Sequence, residues 1–213
     1  MKFLIVTGGN IDQDIALTML GQSKGFFIIA VDKGLETVYA HRIIPDLIMG
    51  DFDSVTEGIL QYFREKDVTI VDFPIRKDAT DTQLALEEAI ERGAAEITII
   101  GATGSRLDHT ISNINILGIA AKHHIPCSII DSYNEISLLV ETTEVYESEN
   151  KKYISFLPYT EDVEGLTLQG FEYPLLNYHL KKDTSIAISN VLQDRAGRVS
   201  FTKGILIMLR TRD

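Results

Sequence analysis

Up to residue 131 the chain alternates short, continuously apolar runs with stretches of helical character. The runs lie at 3–7, 26–31, 47–49, 68–71, 97–100 and 126–131. A strand apolar at every position, rather than at every second one, is buried on both faces, and strands separated by helices are joined by crossovers. The pattern therefore predicts a parallel sheet covered on both sides. Helices are expected over 11–20, 35–41, 57–64, 80–92 and 109–122. The clearest is 80–92, where Thr80 and Gln83 have capping-box spacing, Leu86, Ala89 and Ile90 share a face, and Gly93 ends the helix.

After residue 132 the rhythm changes. Runs at 136–140, 153–157, 163–168, 186–188, 199–202 and 205–209 are separated by turn-rich pieces with no convincing helix among them. The expected fold class is α/β: a parallel-sheet, Rossmann-like α/β domain over 1–132, followed by a smaller all-β sandwich domain over 133–213. A chain of 213 residues suits one large domain or two small ones.

The formal net charge is −11, from 20 Lys and Arg against 31 Asp and Glu. That balance disfavours a protein that grips nucleic acid through clustered cations. The excess is also uneven, since 12 of the 16 aspartates precede residue 133 while the glutamates divide 7 and 8. Cys127 is the single cysteine, so there is neither a disulfide framework nor a thiolate metal cluster; it reads as a small packed hydrophobe. The apolar start at 3–6 is cut by Gly8-Gly9, too short for a signal-peptide core, and no run approaches a membrane span. These features lead us to expect a cytoplasmic protein that binds no nucleic acid and no membrane.

Ligands of open α/β sheets bind beyond the carboxyl ends of the strands. After five predicted strands come Gly8-Gly9-Asn10, Asp32-Lys33-Gly34, Gly50-Asp51-Phe52-Asp53-Ser54, Asp72 with residues 76–81, and residues 101–109. Up to seven aspartates, at 32, 51, 53, 72, 78, 81 and 108, would share one cleft. Carboxylates so crowded repel, and a divalent cation relieves them. With oxygen ligands alone on offer, Mg²⁺ or Mn²⁺ fits, held by one or two carboxylates together with substrate phosphates. Asp51 and Asp53, two apart, would point the same way in extended backbone. Gly8, Gly9, Gly50, Gly101 and Gly104 would let backbone N–H groups approach phosphate oxygens. Lys33, Arg76, Lys77 and Arg106 are the cations best placed for phosphate, Arg106 foremost because a guanidinium binds bidentately. Neither Gly-x-x-x-x-Gly-Lys-Ser/Thr nor Gly-x-Gly-x-x-Gly is present. His109 stands at a helix start, Asn113 one turn later can face the cleft, and Ser189-Asn190, taken alone, reads as a turn.

Three longer motifs stand in fixed order: Pro45-Asp46-Leu47-Ile48-Met49-Gly50-Asp51-Phe52-Asp53-Ser54, Lys77-Asp78-Ala79-Thr80-Asp81-Thr82, and Gly101-Ala102-Thr103-Gly104-Ser105-Arg106-Leu107-Asp108-His109 with Asn113. With Ser189-Asn190 after them, they resemble the thiamine pyrophosphokinase family over nearly the whole chain. The resemblance implies pyrophosphoryl transfer from Mg-ATP to the thiamine hydroxyl, giving thiamine diphosphate and AMP, in homodimers whose active site lies between subunits. Asp51, Asp53 and Asp78 correspond to metal and phosphate aspartates, with Asp32 beside them. Asp81, Thr82, Arg106 and Asp108 correspond to residues around ATP and the reacting hydroxyl, and Ser189 and Asn190 to the thiamine side. Together with the strand-end reading, the expected ATP site comprises Gly9, Asp32, Lys33, Arg76, Thr82, Gly101, Thr103, Gly104, Arg106 and His109. The expected catalytic carboxylates are Asp51, Asp53, Asp78, Asp81 and Asp108, with either Asp81 or Asp108 accepting the hydroxyl proton. Two positions depart from the family pattern: Lys33 where Asp-Gly-Gly is usual, and Ala79 where Asp-Gln-Thr-Asp is usual. Two rival functions are a pyrophosphokinase for a pterin alcohol and a non-catalytic nucleotide or thiamine sensor.

Overall fold

Strand β1 (Lys2–Val6) lies between β2 (Phe27–Val31) and β5 (Glu96–Ile100), parallel to both, with Phe3, Ile5 and Val6 wholly buried. The computed structural model describes residues 1–74, 78–148 and 150–213, and the chain divides into two compact units, Met1–Ser132 and Tyr133–Asp213. In the first unit β3 (Leu47–Gly50), β4 (Thr69–Asp72) and β6 (Cys127–Ile130) extend the parallel set in the order β4-β3-β2-β1-β5-β6. Leu4, Val6, Ile28, Ala30 and Ile48 alternate along their strands and so share one face. They form one cluster with Ala16 and Leu20 of α1 (Gln13–Gly21), Leu35 and Val38 of α2 (Gly34–Ala40) and Phe63 of α3 (Ile59–Arg64). Helix α4 (Asp81–Glu91) packs against β1, β2 and β3 and against α5 (Leu107–Lys122), burying Ala85, Leu86 and Ala89. Covering both faces in this way is why the strands read as unbroken apolar runs.

Local chemistry fixes the helix starts. Thr80 Oγ1 accepts the Gln83 N–H at 3.2 Å, but the Gln83 amide donates to Glu87 at 2.9 Å instead of closing the capping box. Asp12 caps α1 by accepting the Ile15 N–H at 3.0 Å. Helix α3 begins at Ile59 rather than 57, because Gly58 precedes it at φ 90°. Asp46 ties β3 to β2: its carboxylate accepts the Ile28 N–H at 2.8 Å and its own N–H donates to the Ile28 carbonyl at 2.9 Å.

The second unit is antiparallel. Strands β7 (Asn134–Leu139), β13 (Leu206–Thr211) and β9 (Tyr153–Pro158) form one set, and β11 (Leu175–Lys181), β10 (Asp162–Gln169), β12 (Ala196–Ser200) and β8 (Thr143–Tyr146) another. Both sets feed a single cluster around Phe156 and Phe171, whose rings meet edge to face at 5.7 Å. The whole is a mixed α/β fold with a second, antiparallel sheet. Three expectations are corrected. The run 186–188 is a turn: only Ala187 is buried, Ile186 and Ile188 face solvent, and Ser189 adopts φ 55°. The strand expected at 199–202 is β12, which begins earlier, at Ala196. Strands β8 and β11 have no counterpart among the expected runs, because as edges of their sheet they bury one residue each and look polar.

Removing the Phe156 ring leaves a cavity at the centre of the second core. Phe156→Ala is expected to lower unfolding free energy by about 3–5 kcal/mol in urea titrations. At Gly34 a Cβ would run into the Val6 carbonyl oxygen. Gly34→Ala is accordingly expected to lower stability by about 1–3 kcal/mol through overpacking.

Candidate functional site

The order β4-β3-β2-β1-β5-β6 means the chain, having travelled outward from β1 to β4, returns to build β5 beside β1. The loops leaving these two neighbours stand where the strand order reverses, the usual place for a ligand crevice. Here they touch backbone to backbone: Gly9 N–H donates to the Gly101 carbonyl at 2.7 Å, and Asn10 N–H to the Thr103 carbonyl at 2.8 Å. A Cβ on Gly9 would collide with that Gly101 oxygen, so only glycine fits. Together with the ends of β2 and β3 and the starts of α4 and α5, the loops enclose a cleft of about 550 Å³.

Its walls include Gly8, Gly9, Asp32, Lys33, Asp51, Asp81, Thr82, Gly101, Thr103, Gly104, Arg106 and His109. Asp32 is half-buried at φ 45°, accepts the Asp51 N–H at 3.2 Å, and stands close enough to Asp81 and Asp51 to feel their charge. Its carboxyl is pushed up to about 6, first by burial and then by Asp81 and Asp51, against hydrogen bonds from Phe52 and Asp51 that pull the other way. Thr82 is buried, its hydroxyl 3.0 Å from that of Thr7, which joins the start of α4 to the end of β1. Asn113 is also buried and donates through Nδ2 to the Ala102 carbonyl at 2.8 Å.

Other expected residues stand apart from the cleft wall. Asp53, Asp72, Asp78 and Asp108 do not line it. The extended geometry expected for 51–53 is absent: Phe52 has φ 58°, and Asp51 Oδ1 accepts the Asp53 N–H at 3.2 Å in a side-chain-closed turn. Asp108 is exposed and gripped by Arg106 through two bonds of 3.2 and 2.6 Å, which hold its carboxyl below the usual range. Arg76 and Lys77 lie outside the described residues. In the second unit Ser189 is exposed, whereas Asn190 is buried with its amide committed: Oδ1 accepts the Tyr173 and Val191 N–H groups at 3.0 and 2.9 Å, and Nδ2 donates to the Tyr173 carbonyl at 2.8 Å. Burial pushes the thiol of the half-buried Cys127 up to about 12, so it stays protonated and a poor nucleophile.

Among the described residues, no three His, Cys, Asp or Glu side chains gather closely enough to hold a metal by themselves. The donor set nevertheless fits a hard cation that arrives with phosphates, since such an ion needs only one or two protein carboxylates. Asp32, Asp51 and Asp81 present oxygen ligands whose mutual repulsion a dication would relieve. Sequence reasoning passes over Thr7, whose hydroxyl gives no signal in a strand. It also passes over Asp131 at the end of β6, a position within reach of the strand-end rule.

Comparison with known proteins agrees with this architecture. The family model "Thiamin pyrophosphokinase, catalytic domain" matches residues 19–129, and "Thiamin pyrophosphokinase, vitamin B1 binding domain" matches residues 142–206. Thiamine pyrophosphokinase of Bacillus subtilis is 41% identical over 186 residues, covering 87% of each chain. A crystal structure of that name from Bacillus subtilis superposes with TM-score 0.92 at 38% identity over 100% of both chains. Another, from Geobacillus thermodenitrificans, gives 0.88 at 33% identity over 100% of this chain and 98% of that one. With both family models matched in order and 41% identity over most of its length, the chain belongs to the thiamin pyrophosphokinase family.

Proposed function

We propose that the chain transfers a pyrophosphoryl group from ATP to the hydroxyl of thiamine, yielding thiamine diphosphate and AMP. The observation that carries this reading is the glycine-lined cleft at the β1/β5 reversal, walled by Asp32, Asp51 and Asp81, in a chain of this family. In the reaction the thiamine hydroxyl oxygen bonds to the β-phosphorus, the bond from that phosphorus to the α,β-bridging oxygen breaks, and AMP leaves with the electron pair. The hydroxyl proton passes to a carboxylate. Asp81 fits that role better than Asp108, because Asp81 lines the cleft while Asp108 is paired with Arg106 and is a weaker proton acceptor.

Mg²⁺ would be held by Asp51 with Asp32, and by Asp53 and Asp78 if their turns close on the ligand; it would neutralise phosphate charge during transfer. Gly9, Gly101, Thr103 and Gly104 would meet the phosphates through backbone N–H groups. Lys33, Arg76, Arg106 and His109 would supply charge and donors, and Thr82 would hold α4 in place. Ser189 would face thiamine, with Asn190 shaping its turn. We read the first unit as Rossmann-like, on its reversed strand order, and the second as a sandwich, on its shared core. A homodimer with the active site between subunits is part of the reading, supported by exposed Leu107 and Ile111 one turn apart on α5. So is a cytoplasmic location, supported by the lone cysteine; among the described residues no helix is long and apolar enough to cross a membrane. The vitamin B1 binding match over residues 142–206 favours thiamine over a pterin alcohol.

In a coupled AMP-release assay thiamine should support turnover and a pterin alcohol should not; the reverse pattern, or saturable ATP binding without AMP formation, contradicts the reading. Asp51→Asn should lower AMP release by at least about 10²-fold with an unchanged circular dichroism spectrum; near wild-type turnover would remove Asp51 from the metal site.

The raised Asp32 carboxyl has a consequence for stability. Below about pH 4 it is protonated in both folded and unfolded chains and contributes nothing. Between about 4 and about 6 the unfolded chain releases its proton while the folded chain keeps it, so this group makes stability fall as pH rises. Asp32→Asn should therefore melt near wild type at pH 4 without metal, gain on it up to about pH 6, and hold a constant lead above. A lead independent of pH would refute the assignment.

A further inference from the structure

Beyond β6 the first unit ends in Asp131-Ser132, to which neither the strand-end reading nor the proposed mechanism gives a part. Strands β5 and β6 pair in parallel with Ile100 beside Ile130, so Asp131 leaves β6 level with Gly101, which lines the cleft. Its Oδ2 accepts the Thr103 hydroxyl at 2.7 Å. Thr103 is in the middle of a segment whose carbonyls are taken one after another: Gly101 by Gly9 N–H at 2.7 Å, Ala102 by Asn113 Nδ2 at 2.8 Å, and Thr103 by Asn10 N–H at 2.8 Å. In a trans peptide each carbonyl and the following N–H point opposite ways. The N–H groups of Ala102, Thr103 and Gly104 are therefore turned away from those donors, in a segment that lines the cleft. Ser132 adds a second tie, its hydroxyl donating to Asp12, the residue that caps α1 after the β1 loop.

We infer that Asp131 is a positioning residue for the nucleotide: through the Thr103 hydroxyl it holds the cleft-lining 101–105 loop in the shape that meets the phosphates. The inference rests on the proposed nucleotide cleft. Asp131 touches neither reactant and acts on ATP affinity alone. The bond is made before any ligand arrives, so the affinity lost without it is the cost of ordering the loop on binding.

The test is steady-state kinetics on the full chain, with calorimetric titration of Mg-ATP. Asp131→Ala should raise the KM and the dissociation constant for ATP about tenfold or more, leaving kcat and the KM for thiamine within about twofold. Thr103→Val should likewise raise the KM and the dissociation constant for ATP, and the double variant should fall short of the sum of the two losses, because both single changes remove the Thr103–Asp131 bond. Asp131→Asn, which keeps an acceptor oxygen, should recover most of the affinity, and Thr103→Val, with unchanged ATP affinity again the contradicting result, serves if Asp131→Ala fails to fold. Unchanged ATP affinity in Asp131→Ala, additive losses in the double variant, or equal losses for both substrates would overturn the inference. Failure of wild type to bind ATP at all would instead overturn the nucleotide cleft on which it rests.

Discussion

The loops after β1 and β5 meet with nothing between their backbones, and that contact shapes the rest of the cleft. Gly9 and Gly101 are 2.7 Å apart from nitrogen to oxygen, a separation no β-carbon at Gly9 would permit. Because β1 and β5 are neighbours only through the return of the chain from β4, the contact is a product of topology as much as of local sequence. It turns two glycine-rich turns into one wall. Beside that wall the ends of β2 and β3 bring Asp32 and Asp51, and the start of α4 brings Asp81.

The charge carried there is unfavourable without a ligand. A half-buried carboxyl raised to about 6 by burial and by its neighbours marks stored repulsion, which a fold concerned only with stability would avoid. The repulsion is useful where a dication and a triphosphate arrive together. Arg106 and Asp108 show the complementary arrangement: an exposed, mutually satisfied pair in which Arg106 also lines the cleft, so its charge is held at little electrostatic cost. The excess acidity of the chain thus has two natures, a cluster in the cleft and glutamate spread over helices and the second unit as solubilising surface.

Much of this is legible in the sequence, for identifiable reasons. Strands β1, β2, β3 and β5 are covered on both faces, so their apolar runs are continuous and hard to misread, while β4 at the sheet edge buries none of its four residues. The glycines and aspartates that follow them can be assigned to one edge because parallel strands put all their carboxyl ends there. Legibility fails where burial is one-sided. Strands β8 and β11 bury a single side chain each, while Ile186 and Ile188 are apolar yet face solvent in a turn. Side-chain direction is lost as well. Asp51 and Asp53 share a spacing that extended backbone would align, but the left-handed Phe52 between them folds the segment into a turn. The amide of Asn190 is engaged with the backbone of Tyr173 and Val191, a pairing that the dipeptide Ser189-Asn190 does not announce. Hydrogen bonds between residues distant in sequence, such as Thr7 with Thr82 and Thr103 with Asp131, have no local pattern from which to be read.

The central claim is that a two-phosphorus unit moves intact from nucleotide to thiamine in this cleft. Its most direct test is to follow ATP carrying distinct isotopic labels on its α, β and γ phosphorus atoms through a single turnover with Mg²⁺, thiamine and the purified chain. The account predicts β and γ labels together in thiamine diphosphate and the α label alone in AMP. Appearance of the γ label alone on thiamine, with ADP as the other product, would contradict it.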